Sequence, residues 1–245
     1  MIGFSLKKWA LGIGDKLICT SFPENYFHNT GEKIIDADNC WVFDHNPYVV
    51  RDEVPVEVID LDMVPNSYPD PTVFSVAHRV NHHLGLKLTP LRHPRLYVYE
   101  DLPVRMNRVC VHAQGKDKEQ RTLPQYVLDV IARRFQGCEI IQVGGENDIP
   151  TQFVDARGLP IWESIKLIAT SAVFIGVDSS MQHVASAYPR VSKKVFLTKY
   201  SRKQLEHKVF PMLSSEGDYH WLDVSCQYFN LYEVDVGITF AYFKL

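Results

Sequence analysis

Residues 172–189 read AVFIGVDSSMQHVASAYP. An apolar run with β-branched members passes through Asp178, Ser179 and Ser180 into a segment that must stop near Pro189, because proline cannot continue a helix. This is a strand feeding a helix, and the pattern repeats upstream. "RVCVHA" (108–113) is a β-branched strand. "LPQYVLDVIARRF" (123–135) sets Tyr126, Val127, Val130, Ile131 and Phe135 at helical spacing. "CEIIQVGG" (138–145) is a second strand, ending in glycines, and "IWESIKLIATS" (161–171) is a helix with Ile161, Ile165 and Ile168 on one face. "KKVFL" (193–197) is a fourth strand. The order β-α-β-α-β-α-β predicts an α/β domain with a doubly wound parallel sheet, whose ligands bind beyond the carboxyl ends of the strands.

The first half is less regular. Candidate strands are Trp9–Leu11, Lys33–Asp36, Trp41–Phe43 and Val56–Ile59, with a helix from Val73 to Leu84 ending at Gly85. "LKLTPLRHPRLYVYEDLP" (86–103) spreads its prolines too evenly for one regular element and reads as a crossover between two lobes, 1–100 and 101–245. The aromatic C-terminal stretch 228–245 alternates enough to be strand-like.

Length and composition bound the function. The chain has 245 residues, 46% hydrophobic and 22% charged. That suits a globular protein with a sizeable core. No apolar run approaches a membrane span, and the N-terminus lacks the apolar segment of a signal peptide. Five scattered cysteines without C-x-x-C predict a reduced, cytoplasmic protein with no zinc site or disulfide frame. A net charge of −3 argues against general nucleic-acid binding. Residues 1–100 hold 9 Lys+Arg against 13 Asp+Glu, and residues 101–245 hold 17 against 16, so a phosphorylated ligand suits the second half better.

The strand ends there collect polar and small residues. His112 is followed by Ala113 and Gln114, and Arg121 stands just ahead of the 123–135 helix, where it can meet a phosphate or form a surface ion pair. Gly144 and Gly145 let backbone approach a ligand or simply turn, and Glu146 can accept from a ribose or lie solvated. At Asp178–Ser179–Ser180, either serine can cap the following helix, whose first turn favours an anion, with His183 one turn in. The plain alternative is that the serines only cap and His183 packs locally.

"GIGD" (12–15), "VHAQGKDKEQRTLPQYVLDVI" (111–131), "IIQVGGEND" (140–148) and "FIGVDSSMQHVASA" (174–187) together resemble glycosyltransferase family 9, the ADP-heptose:lipopolysaccharide heptosyltransferases and their relatives. The resemblance is good over about 105–200 and patchy over 1–60. It implies the GT-B fold, two Rossmann-like lobes with a cleft between them, here with a reduced N-terminal lobe. Lobe 1–100 would take the acceptor and lobe 101–245 the nucleotide sugar. The aspartate of the family's N-terminal G-D matches Asp15, implying the general base. The basic residue before the aromatic-or-leucine and proline matches Arg121, implying contact with the donor phosphates, with Ala113 and Gln114 nearby. The G-x-E matches Gly144, Gly145 and Glu146, implying a ribose contact. The D-(T/S)-G-x-x-H matches Asp178, Ser179, Ser180 and His183, implying the diphosphate site. Ser180 replaces the usual glycine, and Pro23 lies eight residues after Asp15, later than is usual in the family.

The function so implied is an inverting, metal-independent glycosyl transfer from a nucleoside-diphosphate sugar, ADP-linked or otherwise, to a glycan, lipid-linked or protein acceptor, without a separate cofactor. The setting implied is cytoplasmic, with peripheral attachment to the inner membrane and oligomerisation left open. Three rival readings remain: a non-catalytic nucleotide-sugar-binding or assembly protein, a nucleotide-sugar epimerase of the same fold, and a transferase that modifies nucleic acid, against which the acidic first half counts. The D-x-D pairs Asp36/Asp38 and Asp60/Asp62 are expected to be solvated loops rather than metal ligands, and His78/His82 a surface pair.

Overall fold

The structure, a computed structural model, describes residues 1–6, 12–60, 76–87, 93–119, 121–197 and 227–230, with backbone alone at 15, 76–79, 197 and 227–230. Chain contacts divide it into two compact units that change over between Val98 and Tyr99.

The first unit holds a four-stranded parallel sheet, ordered β3-β2-β1-β4, from β1 (Ile2–Ser5), β2 (Ile34–Asp36), β3 (Val49–Val50) and β4 (Glu57–Asp60). Helices α1 (Ile13–Ile18), α2 (Phe22–Thr30) and α3 (Val76–His83) accompany it. Its core is aromatic: the Phe4 ring of β1 lies 4.8 Å from Phe22 of α2 and 6.4 Å from Phe43. Leu6, Leu17, Ile34 and Ile35 are buried with them. Each such side chain is worth roughly 1.5–3 kcal/mol when fully removed from water.

Several sequence expectations change here. The first described strand is Ile2–Ser5, whereas the expected Trp9–Leu11 lies outside the described residues. Trp41–Phe43 is one turn of 3-10 helix, not a strand; Val42 and Phe43 bury there without any ladder partner. β3 carries no sequence signal beyond two valines. The helix before Gly85 is described as Val76–His83. Residues 93–104 contain no helix or strand, as the prolines require.

The second unit holds six parallel strands: β5 (Arg105–His112), β6 (Glu139–Gly144), β7 (Val154–Arg157), β8 (Ser171–Val177), β9 (Ser192–Leu197) and β10 (Gln227–Asn230). Their order, β10-β9-β8-β5-β6-β7, is the 3-2-1-4-5-6 arrangement of a doubly wound sheet. Among the described residues three helices connect them, α4 (Gln125–Arg134), α5 (Ile161–Ala169) and α6 (Ser180–Ser186). Val109, Val111, Val173, Ile175 and Val177 of the central strands pack with Val127, Val130, Ile131 and Phe135. Tyr126 is the exception to the expected helix face, being 36% exposed. At the amino end Arg108 donates to Glu139 (2.8 Å) and Thr170 (3.2 Å), tying β5 to β6 and to the turn before β8. The order reverses between β5 and β8, where His112 stands in register with Gly176. That reversal point is where such sheets hold ligands.

Among the described residues, no helix is long and apolar enough to cross a membrane.

Candidate functional site

The reversal point is built by three short returns of the chain. After β5, the segment 113–123 folds back on itself. Leu123 N–H donates to Ala113 (2.8 Å), Gly115 N–H to the Arg121 carbonyl (2.7 Å), and Gln114 pairs antiparallel with Thr122. A Cβ on Gly115 would lie 3.1 Å from the Arg121 Cβ, so a side chain there would crowd the return. Arg121 is thereby carried back beside the end of β8. Its Nη1 donates to the Asp178 carbonyl (3.3 Å), and Nη2 lies 3.8 Å from the Asp178 carboxylate. Arg121 Nε is buried without a hydrogen-bond partner among the described residues. A buried N–H in that state has unspent donor capacity, which an anion would satisfy.

Gln114 has a different job from the one its position suggests. Its amide N–H donates to Thr122 (2.9 Å) and its amide oxygen accepts from Ile149 N–H (3.1 Å). With 1% of its surface exposed, the side chain ties two loops together.

The second return follows β6. Gly144 has φ +148°, and a Cβ there would sit 2.3 Å from the Asp148 carboxylate. Glycine is therefore required twice over, by backbone and by space. Asp148 accepts from Gly145 N–H at 2.8 Å and lies 3.8 Å from Nε2 of His112. Glu146 and Gly145 are exposed.

The third return follows β8. Ser179 occupies the N-cap position of α6 but makes no side-chain cap bond. Its hydroxyl is instead 2.8 Å from Nδ1 of His112. The expected serine cap is absent because the Ser179 hydroxyl is engaged by the buried imidazole of His112. Ser180 is the first residue of α6, half-buried, and His183 is buried one turn later. Burial holds His112 neutral, lowering it to about 4; Asp148 opposes the shift only in part.

Among the predicted second-unit residues, the structure brings Arg121 against Asp178, and sets Ser179, the next residue, against His112. His112 and Asp148 join them, though sequence reasoning had not singled them out as site residues. The available signal was a histidine ending a strand and an aspartate four residues after Gly144. Asp15 lies in the first turn of α1, three residues after the Gly12 N-cap, with its backbone described. Pro23 opens α2, where its missing N–H costs nothing.

The D-x-D expectation is corrected for Asp36 and Asp38. Asp36 is 3% exposed, not solvated, and lies 3.3 Å from Arg51. Burial raises its carboxyl above the ordinary range, against the opposing pull of the Asp38 N–H bond and Arg51. Asp38 accepts from the Ser5 hydroxyl (2.9 Å) and Leu6 N–H (2.6 Å). Asp62 and the His78 side chain lie outside the described residues. Among those described, no group of three or more His, Cys, Asp or Glu is arranged to hold a metal ion.

No protein-family model and no curated protein sequence matches the chain. Solved structures do. The glycosyl transferase family 9 protein of Veillonella parvula matches at TM-score 0.64 and 13% identity, over 95% of this chain and 86% of that one. The E. coli heptosyltransferase WaaC with ADP matches at 0.60 and 12%, over 94% and 92%. The iron-containing dodecameric glycosyltransferase TibC of enterotoxigenic E. coli matches at 0.59 and 18% over 80% of this chain, which spans only 57% of TibC's length. With its two parallel α/β sheets, this chain has the GT-B, heptosyltransferase-like fold of glycosyltransferase family 9.

Proposed function

We propose that the protein is an inverting glycosyltransferase that moves a sugar, in the first instance a heptose, from a nucleoside-diphosphate donor to an acceptor hydroxyl. One observation carries the reading: Arg121, anchored by Asp178 and holding an unspent buried N–H, stands at the reversal point of a 3-2-1-4-5-6 sheet. That is the place and the chemistry for a diphosphate. Neighbours of the same fold have been solved with ADP and, for TibC, with ADP-D-beta-D-heptose.

In this reading the acceptor oxygen attacks the anomeric carbon as the bond to the diphosphate oxygen breaks. Asp15 takes the acceptor proton. The leaving diphosphate gains negative charge, which Arg121, His183 and the first turn of α6 stabilise. Glu146, exposed beyond β6, accepts from the ribose. Lys118, whose ammonium already donates to the Asn147 carbonyl (2.6 Å), holds the β5 and β6 loops together beside it.

A thermal-shift panel of nucleoside diphosphates and nucleotide sugars tests the reading, with wild type beside Asp15→Asn and His183→Ala. A true donor present at about 100 times its Kd stabilises the fold by about 2.7 kcal/mol. Asp15→Asn keeps that stabilisation and loses transfer by about 10²–10⁴-fold. Full transfer by Asp15→Asn removes Asp15 as the base. Unaltered donor binding by His183→Ala removes His183 from the diphosphate site. Donor binding with no transfer to any acceptor by wild type selects the non-catalytic binding protein.

A further inference from the structure

The chain Asp148–His112–Ser179 fixes which way one hydrogen bond runs, and this decides what Ser179 offers a ligand. A neutral imidazole has one N–H and one lone pair, and the partner of one nitrogen sets the state of the other. Nε2 of His112 faces the Asp148 carboxylate at 3.8 Å. A lone pair pointed at a carboxylate is repelled, and a proton is attracted, so the ring proton belongs on Nε2. Nδ1 is then an acceptor, and the group 2.8 Å away is the Ser179 hydroxyl. Serine has a single proton to give. Gly144 makes the arrangement possible, because its missing side chain is the space the Asp148 carboxylate occupies. Among the described residues Asp148 is the one charged group whose field shifts the ring, and Ser179, Gly144 and Gly176 also lie close to His112.

We propose that His112 is a positioning residue which, with its Nε2 proton turned to Asp148, takes the Ser179 hydroxyl proton at Nδ1. Ser179 then meets the donor substrate through oxygen lone pairs and selects a ligand hydroxyl rather than a phosphate oxygen. The inference rests on the donor-site reading above and redistributes the work within that site. Phosphate recognition falls to Arg121, whose Nε is buried without a hydrogen-bond partner among the described residues, and Ser179 reads a sugar or ribose hydroxyl. For Ser179 to donate to phosphate instead, its proton would have to leave Nδ1, stranding a buried acceptor or forcing a proton onto the ring.

Two measurements test this. The first needs no ligand: ¹⁵N long-range correlation NMR of histidine-labelled protein near pH 7, with His112 assigned by its loss in His112→Asn. The expected result is the Nε2–H tautomer, with a more mixed ring in Asp148→Asn. An Nδ1–H tautomer or a charged ring overturns the proposal, whatever the protein binds. The second compares ADP-heptose, ADP and inorganic pyrophosphate by calorimetry in two buffers of different ionisation heat. Ser179→Ala should weaken ADP-heptose or ADP about fivefold more than pyrophosphate, the size of one neutral hydrogen bond. His112→Asn, which places an amide oxygen near Nδ1, should keep that ligand preference, and His112→Leu should erase it. Equal weakening of all three probes by Ser179→Ala, or net proton uptake on binding that disappears in His112→Asn, overturns the proposal. If none of the probes binds wild type, the donor-site reading fails, and the tautomer still decides the direction of the hydrogen bond.

Discussion

At the carboxyl edge of the first sheet, Asp38 accepts from Ser5 and Leu6, and Arg51 is shared among Asp36, Asp44 and the Cys40 carbonyl. At the carboxyl edge of the second, Arg121 is held by a single residue and keeps a buried N–H without a partner among the described residues. Both edges share the same start to their strand order, 3-2-1-4. Topology therefore points to two candidate ligand edges. Hydrogen-bond accounting among the described residues separates them by sign: the unspent buried group in the first unit is an acceptor, Asp36 Oδ2, 3.3 Å from Arg51 but without a hydrogen bond, and in the second it is the cationic Arg121 Nε donor. Among the described residues, a spare cationic donor favours a polyanion at the second edge, and a spare carboxylate oxygen disfavours one at the first.

The largest effect that would break this contrast concerns Gly144. Gly144→Ala meets both a φ of +148° and the Asp148 carboxylate, and should cost about 3 kcal/mol in urea unfolding. A loss below 1 kcal/mol would show that Asp148 is not seated there. Arg51→Ala comes next. It strands the buried Asp36 carboxylate and should cost about 2 kcal/mol, less than a fully buried pair because Arg51 is a third exposed. Nucleoside diphosphate affinity should not change; a drop would place the anion at the wrong edge.

A pH series sharpens the account of His112. Its folded value near 4 lies below the ordinary 6.5, so the unfolded chain binds more protons between these values. Stability from this group is therefore full above about pH 6.5 and falls as pH drops towards 4. Between pH 7 and pH 5 the loss should be about 2 kcal/mol, and His112→Asn should flatten it. An unchanged slope in the variant would mean that His112 is not buried neutral.

The second unit was legible because its strands are covered on both faces and read as unbroken apolar runs. Val109–Val111 and Val173–Val177 cannot be mistaken for an exposed face. β7, with Val154 59% exposed on the sheet edge, carries no such run and gave no signal. Three apolar residues at Trp41–Phe43 cannot distinguish a strand from a turn of helix, and tertiary burial settled it as the latter. In the site, Arg121 and Asp178–Ser179 were visible as residue types at strand ends. The direction of the Ser179 bond was not, since it depends on His112 and Asp148, 67 and 31 positions away in the chain. The pairing of Asp36 with Arg51 escaped for the same reason: an acidic doublet looks solvated until its cation, fifteen residues on, folds against it.

Calorimetric titration with ADP, wild type beside Arg121→Ala, tests the central claim most directly. The account predicts measurable binding by wild type and a loss of about tenfold to a hundredfold in the variant, the worth of a charged hydrogen bond to phosphate. Equal affinity in the two proteins would contradict it.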